Sequence, residues 1–188
     1  DVAPDLVRPA GPCLESDIVS RTLPDTLMGR LKAFSDAQGG TLFITGLTAV
    51  MALLQRETGR EDLGVGSPVA GRNRPELEQL VGPLLNHVVI RIQAGPDMTL
   101  RVLEAAVRET LLEAFANQDV PLEHVVEALG RGGAVTPDPF YSVSFVSQRA
   151  FAGGRNFTST SGGVNLRTLP SKSQGALYDQ FYFLVERE

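Results

Sequence analysis

Two long stretches of the chain carry apolar residues at helical spacing. They span residues 41–57 and 99–117. Intervals of three and four residues place such side chains on one face of an α-helix, where they pack against a core. Both stretches are therefore predicted to be buried helices. Their apolar positions are Phe43, Leu47, Val50, Met51 and Leu54 in the first, and Leu100, Leu103, Val107, Leu111 and Ala114 in the second.

Shorter runs with alternating or β-branched apolar residues predict strands. These runs cover residues 18–23, 63–66, 86–93, 140–148, 164–169 and 177–185. Shorter helices are predicted at residues 24–38 and 76–80 and from Pro121 onward, and loops at residues 66–72 and 152–163. Helices that alternate with strands predict an α/β layer sandwich, in which the two long helices pack on a mixed sheet.

Composition and charge narrow the classes of partner. Of the 188 residues, 43% are apolar and 21% are charged, which is ordinary for a globular protein. The net charge of −5 gives no reason to expect nucleic acid as a partner. Cys13 is the only cysteine, so an internal disulfide and a cysteine metal cluster are excluded. No apolar run reaches the ~18 residues of a membrane span, so no membrane association is expected.

The residue types that carry most catalysis are scarce. The chain has two histidines, His87 and His124, and neither has a second His, Cys or Glu at metal-ligand spacing. Ser67 lies among glycines, but Val69 stands where a nucleophile elbow or a dinucleotide-binding loop needs a glycine. The residues alone therefore assign no catalytic or metal-binding side chain.

Three segments resemble the motifs of one family. Residues 81–91, VGPLLNHVVIR, look like the motif IGxFVNTxxxR. Residues 117–126, NQDVPLEHVV, are similar to HQDxPFExLV, and residues 62–72, DLGVGSPVAGR, resemble D-x-x-x-G-x-P-x-x-G-R. The segments occur in the family's order and spacing. On these motifs the chain resembles a condensation domain of a nonribosomal peptide synthetase.

The resemblance implies a fold and a separate role for each of two lobes. Condensation domains are V-shaped pairs of lobes, each resembling chloramphenicol acetyltransferase, and a catalytic HHxxxDG motif ends the N-terminal lobe. No pair of adjacent histidines occurs in this chain. We therefore expect residues 17–188 to be the C-terminal, acceptor-side lobe alone, truncated at its C-terminal end and inactive without the other lobe. Residues 1–16, rich in proline, are expected to be a linker or lead-in.

The resemblance also implies candidate site residues, none of them catalytic. Residues 66–72 match the segment that crosses to the other lobe and forms the floor of the substrate tunnel. These floor residues are Gly66, Ser67, Pro68, Val69, Ala70, Gly71 and Arg72. Asn86, Ser142, Ser144 and Gln148 are candidates for the channel wall. Asn86 could equally pin a backbone turn, and the polar face with the two serines and Gln148 could equally face solvent.

The expected substrates and partners follow from the same family. Substrates are presented on the phosphopantetheine arms of donor and acceptor carrier proteins, and no cofactor binds directly. The N-terminal lobe and a neighbouring adenylation domain are the other expected partners. The expected role is peptide-bond formation in the biosynthesis of a natural product such as an antibiotic, in the cytoplasm.

Two other functions stay open at this point. The chain could be a lobe of an epimerization or heterocyclization domain, although residues 86–91 fit condensation better. It could also be a degenerate, non-catalytic module that docks carrier proteins or a tailoring enzyme. The missing N-terminal motif would discriminate among these.

Overall fold

Most of the helices and strands follow the order that the sequence predicts. The computed structural model describes residues 16–130, 140–149, 158–161, 164–167, 175 and 177–186. The helices are α1 (Asp25–Ala37), α2 (Leu42–Thr58), α3 (Pro75–Glu78), α4 (Leu100–Ala116) and α5 (Leu122–Ala128). The strands are β1 (Asp62–Val69), β2 (Asn86–Gln93), β3 (Val143–Arg149), β4 (Thr158–Ser161), β5 (Val164–Arg167) and β6 (Gln180–Glu186). The expected lead-in, residues 1–16, lies outside the described residues except for Ser16.

Capping residues fix the ends of the two long helices. The Thr41 hydroxyl accepts a hydrogen bond from the Ile44 amide at 3.3 Å at the start of α2. The Thr99 hydroxyl accepts from the Val102 amide at 3.4 Å at the start of α4. Gly59 ends α2 with a φ of 64°, a left-handed conformation that glycine adopts without steric cost. These local signals explain why both helices lie where the sequence predicts them.

The main sheet is mixed and has the strand order β2-β1-β3-β6. β1 pairs antiparallel with β2 along its whole length, from Asp62 opposite Gln93 to Val69 opposite Asn86. β3 runs parallel to β1 and to β6. This arrangement confirms the predicted mixed sheet.

The core lies between this sheet and the two long helices. α2 and α4 pack against each other, α2 against β1 and β3, and α4 against β2. The rings of Phe43 on α2 and Phe145 on β3 meet edge to face, with centroids 5.2 Å apart. The most deeply buried apolar side chains are Leu47, Met51, Val65, Ile90 and Val107. The predicted apolar stripes of both helices thus face the sheet, except for Leu100, which is exposed.

The opposite face of the sheet carries glycines and aromatic rings. The Tyr141 ring lies so close to β1 that a Cβ at Gly66 would stand 2.0 Å from it. From Tyr141 the ring contacts continue through Tyr178 and Phe181 to Phe183, with centroid separations of 4.2 to 5.5 Å. Phe183 is 55% exposed, so this row of rings ends in an apolar strip on the surface of β6.

The predicted loop over residues 66–72 is wrong for its first four residues. β1 continues to Val69 in the interior of the sheet, and Gly66, Ser67 and Val69 are buried. Burial and pairing with β2 override the low strand preference of glycine and proline. Residues 70–72 are the part of this segment that extends beyond the strand.

Three other strand predictions need correction. Residues 18–23 form no strand, and Ile18 and Val19 are 68% and 80% exposed, because no neighbouring strand within the described chain covers them. β3 and β6 each begin later than predicted, at Val143 and Gln180. In both segments the alternation of apolar and polar residues begins several positions before the first residue that pairs with a neighbouring strand.

The predicted polar loop at residues 152–163 contains a strand. β4 pairs antiparallel with β5, from Thr158 opposite Arg167 to Ser161 opposite Val164. Threonine is β-branched and fits strands well, a preference that a prediction from polarity alone overlooks. The rest of the predicted loop lies outside the described residues.

Within the residues that the structure describes, no single helix is long and apolar enough to cross a membrane. α1 and α2 pass that length and composition test only as a pair, and their axes differ by 103°.

Candidate functional site

Asn86 joins the start of β2 to the connection between α4 and α5. Its Nδ2 donates to the carbonyl oxygens of Gln118 and Val120, each at 2.8 Å. Its Oδ1 accepts from the backbone amides of His87 at 2.8 Å and Leu122 at 3.3 Å. Two donors and two acceptor sites are all that a carboxamide offers, so the side chain is fully used in pinning this turn.

Arg72 binds the turn that precedes β2. Its Nη2 donates to the carbonyl oxygens of Leu80 at 3.1 Å and Gly82 at 3.0 Å, and its Nη1 donates to Ala70 O at 3.1 Å. The guanidinium lies at the surface, where it holds two parts of the backbone that are separated in sequence. Its role in this chain is to position the backbone.

Two further contacts complete the same assembly. Asn73 Nδ2 donates to Asp119 Oδ1 at 2.6 Å. Gly71 has a φ of 61°, and a Cβ there would lie 1.9 Å from Leu84 O, so only glycine fits. We call this assembly the motif junction; it consists of Gly71, Arg72, Asn73, Asn86 and Asp119 with the backbone of residues 80–85 and 118–122.

The motif junction unites the three segments that resemble family motifs. Residues 62–72 and 81–91 contain the neighbouring strands β1 and β2, and residues 117–126 supply the turn that Asn86 holds. The junction lies where β1 ends and β2 begins. Motifs far apart in sequence thus form one hydrogen-bonded unit.

The other ends of β1 and β2 carry a second link between motif residues. Arg91 Nε and Nη2 donate to the two carboxylate oxygens of Asp62 at 2.8 and 2.7 Å. These hydrogen bonds hold the pKa of the Asp62 carboxyl below its ordinary value. Asp62 is the first residue of one motif and Arg91 is the last residue of another. The sequence alone does not reveal the pair, because the pairing depends on the register of β1 and β2.

The outer surface of the motif junction is apolar. Val81 is fully exposed, Leu85 is 66% exposed, and Leu80 and Val120 are about half exposed, at 50% and 48%. Arg72 binds the carbonyl oxygens of Leu80 and Gly82, which flank Val81. Asn86 follows Leu85 in the chain and binds the carbonyl oxygen of Val120. These four exposed apolar side chains on one hydrogen-bonded unit make the motif junction a candidate contact site.

The serines predicted to line the channel differ in their surroundings. Ser144 is fully buried, and its hydroxyl donates to Gly66 O at 3.2 Å. Ser142 is half-buried and Gln148 is exposed. Ser67 is also buried and donates to Phe145 O at 2.9 Å. The two buried hydroxyls therefore link β1 to β3 inside the sheet.

The described residues contain no group of three His, Cys, Asp or Glu side chains placed to hold a metal ion. His87 lies on β2 and His124 on α5. A cavity of about 610 Å³ opens near the start of β1, bordered by Asp62, Arg91 and Tyr141. The motif junction, at the far end of β1, offers oriented backbone and apolar surface rather than an acid–base pair.

Solved structures share this fold. The four-domain nonribosomal peptide synthetase holo-AB3403, bound to AMP and glycine, superposes with a TM-score of 0.73 at 22% identity over 87% of this chain and 13% of that one. The X-domain in its complex with OxyB from teicoplanin biosynthesis superposes with a TM-score of 0.74 at 21% identity over 95% of this chain and 41% of that one. The chain therefore has the same mixed α/β fold as these structures.

The chain belongs to the condensation-domain family. A sequence model described as "Condensation domain" matches residues 1–180. One of the linear gramicidin synthase proteins of Brevibacillus parabrevis is 42% identical over 144 residues, which is 77% of this chain and 2% of that protein. The phosphinothricin tripeptide synthetase PhsC of Streptomyces viridochromogenes is 37% identical over 148 residues, which is 79% of this chain and 14% of that protein. The resemblance to condensation domains of nonribosomal peptide synthetases is thereby confirmed.

Proposed function

We propose that this chain is the acceptor-side, C-terminal lobe of a condensation domain that joins carrier-protein-tethered amino acids by peptide bonds. The observation that carries the proposal is the motif junction, in which three family-like segments form one rigid, hydrogen-bonded unit. Such a unit can orient a partner or a substrate, which lowers the barrier by proximity rather than by proton transfer.

The proposed reaction divides between two lobes. The acceptor amine attacks the donor thioester carbon, a C–N bond forms, and the C–S bond breaks. The donor thiol leaves with the proton that the amine loses. His87 and His124 are 37 positions apart and cannot form an HHxxxDG motif. The histidines of that motif in the N-terminal lobe are therefore expected to position or deprotonate the amine. The C-terminal lobe, which is this chain, supplies the tunnel wall and orients the substrates.

The tunnel floor in this proposal is the segment 66–72, of which residues 70–72 face the tunnel, because Gly66, Ser67 and Val69 are buried in β1 and anchor the segment to the sheet. Ser142 and Gln148, on the opposite face to the helices, remain candidates for the channel wall. Substrates arrive on the phosphopantetheine arms of donor and acceptor carrier proteins. An adenylation domain in the same cytoplasmic synthetase is the remaining proposed partner.

The proposed contact surface for the N-terminal lobe is the apolar exterior of the motif junction. Val81 and Leu85 are supported as contact residues by their exposure. Burial of an apolar side chain in a contact stabilises it by roughly 25 cal/mol for each Å² removed from water.

The test is amide formation with donor and acceptor carrier proteins loaded with aminoacyl groups. We expect no dipeptide from this chain alone, and dipeptidyl carrier protein once a separate HHxxxDG-bearing lobe is added. The control is the same added lobe with its second motif histidine changed to alanine, which should give no product. Amide formation by the chain alone would contradict the proposal.

The same assay separates the functions left open by the sequence. A racemised donor without a new amide would identify an epimerization lobe. An amide that also loses water to close a ring would identify a heterocyclization lobe. Carrier-protein binding without any product, with a lobe whose histidines are intact, would identify a non-catalytic docking module.

A further inference from the structure

The Asn86 side chain makes contacts that no other natural side chain can reproduce. One end faces two carbonyl oxygens of the α4–α5 turn, and the other faces two backbone amides. Aspartate has the same shape but offers only acceptors when ionised, and serine offers a single hydroxyl. The position therefore needs a carboxamide at this distance from the backbone.

The turn that Asn86 holds is joined by a hydrogen bond to the residues that follow β1. Asp119 lies in that turn between the two carbonyls that Asn86 binds, and its carboxylate accepts from Asn73. Asn73 follows Arg72 in the chain, and Arg72 in turn binds the backbone that leads into β2. The contacts form a closed circuit that begins and ends at the start of β2.

We infer that Asn86 is a positioning residue, which sets the α4–α5 turn and, through Asp119 and Asn73, the direction in which residues 70–72 leave β1. Its carboxamide is saturated by four backbone partners, so it acts through the backbone and does not contact substrate. The consequence for catalysis rests on the proposed function, whereas the coupling within the chain does not.

The test of the coupling is Asn86→Asp in the full chain, followed by NMR of the Asn73 side-chain NH₂ group and of the Leu122 amide. Asp keeps the acceptor but turns a carboxylate towards two carbonyl oxygens. We expect the Asn73 signal to move towards its free position and hydrogen exchange of the Leu122 amide to accelerate by about tenfold, which corresponds to about 1.4 kcal/mol.

A pH series distinguishes lost hydrogen bonds from a change of shape. When the introduced carboxyl is protonated it regains one donor, so the protection of the Leu122 amide, compared with that of the wild type at each pH, should return part of the way as the pH falls. Asn117→Asp is the control, since its Nδ2 donates only to Glu113 O at 2.9 Å, within the last turn of α4. This variant brings the same charge to the same turn and should leave the Asn73 signal unchanged.

A second variant covers the case in which Asn86→Asp does not fold. Asp119 is exposed, and Asp119→Ala removes the link to Asn73 without touching Asn86. We expect the Asn73 signal to move while the Leu122 amide stays protected. An unchanged Asn73 signal in a folded Asn86→Asp chain, or in Asp119→Ala, would overturn the inference.

The catalytic arm adds the HHxxxDG-bearing lobe and measures amide formation. Asn86→Asp should lower kcat by about tenfold or more while the KM for the acceptor carrier protein stays within about twofold, because orientation is lost and recruitment is kept. If the wild-type mixture makes no amide, the proposed function fails, and the NMR result still decides the positioning role.

Discussion

Glu104 is an acidic side chain buried in the helical layer, with 2% of its surface exposed. Its Oε1 accepts from the Thr45 hydroxyl at 2.7 Å, and the Thr45 hydroxyl also contacts Ser35 Oγ. Its Oε2 is buried and has no hydrogen-bond partner among the described residues. A buried acid with so few donors depends strongly on each of them, so the Thr45 hydroxyl should matter for stability.

Thr45→Val should lower the free energy of unfolding by about 1–3 kcal/mol, because it leaves the buried carboxyl without its donor. Thr48→Val is the matched control: Thr48 is equally buried, but its hydroxyl binds only Ile44 O in its own helix. That control should lose less than about 1 kcal/mol. Urea denaturation measures both, and equal losses would show that Glu104 does not depend on Thr45.

The Asp62–Arg91 pair predicts a pH dependence. The hydrogen bonds from Arg91 lower the pKa of Asp62 in the folded chain below its unfolded value. The stabilisation is therefore present above the unfolded pKa and is lost as the pH falls through the folded pKa. Arg91→Gln should raise the Asp62 pKa towards its ordinary value in an NMR titration of the carboxyl carbon. Arg60→Gln, also beside the cavity near the start of β1, should leave it unchanged.

The sequence identifies the residues of the motif junction but not their contacts. Arg72 and Asn86 stand out as motif residues, and the pinning role is one of the two that the sequence leaves open for Asn86. The Asn73–Asp119 contact cannot be predicted, because it joins residues 46 positions apart. Strand alternation predicts a wetted face for Ser144, but it cannot tell whether other parts of the chain bury that residue, as they do in the fold.

At the scale of elements, hydrophobic period and capping decide what the sequence can predict. α2 and α4 lie where predicted because their apolar stripes are long and each begins at a capping threonine. The second half of β1 escapes prediction because Gly66 and Pro68 are typical of a loop. The Tyr141 ring requires a residue without a side chain at Gly66, and that contact is visible only in the fold.

The tight packing of α2 on the sheet predicts the effect of a methyl group at Gly46. A Cβ there would lie 2.9 Å from Phe145 Cζ and 3.0 Å from Leu184 Cδ2. Gly46→Ala gains about 1 kcal/mol of helix propensity but should lose about 1–3 kcal/mol by overpacking, with a lower Tm as the net result.

Gly29→Ala in α1 is the control for that substitution, because nothing lies within 4 Å of its Cβ position. It keeps the gain in propensity without the clash, so its Tm should rise. A Gly46→Ala chain with a Tm at or above that of the wild type would show that α2 does not press on β3 as described.

In the whole molecule, helices cover one face of the sheet. Apolar side chains are exposed on other surfaces. Two groups of exposed apolar residues lie on the strip of β6 around Phe183 and on the motif junction around Val81. The chain spans 2% of the length of the gramicidin synthase protein that it matches. Its family and fold could be predicted from three motifs, because motifs report on the parent fold. The proposed contact surface could not, since residues 80–85 and Val120 are held next to one another only through the hydrogen bonds of Arg72 and Asn86.

A binding measurement tests most directly whether the motif junction faces the HHxxxDG-bearing lobe. Val81→Asp places a charge on a fully exposed side chain, so folding should be unaffected. Val102→Asp makes the same change on a half-exposed residue in the first turn of α4, about 20 Å from the end of that helix nearest the junction. Affinity for the separate HHxxxDG-bearing lobe is then measured by calorimetry. We predict that Val81→Asp weakens binding by about tenfold or more and that Val102→Asp leaves it unchanged. Equal affinities for wild type and Val81→Asp would contradict the account.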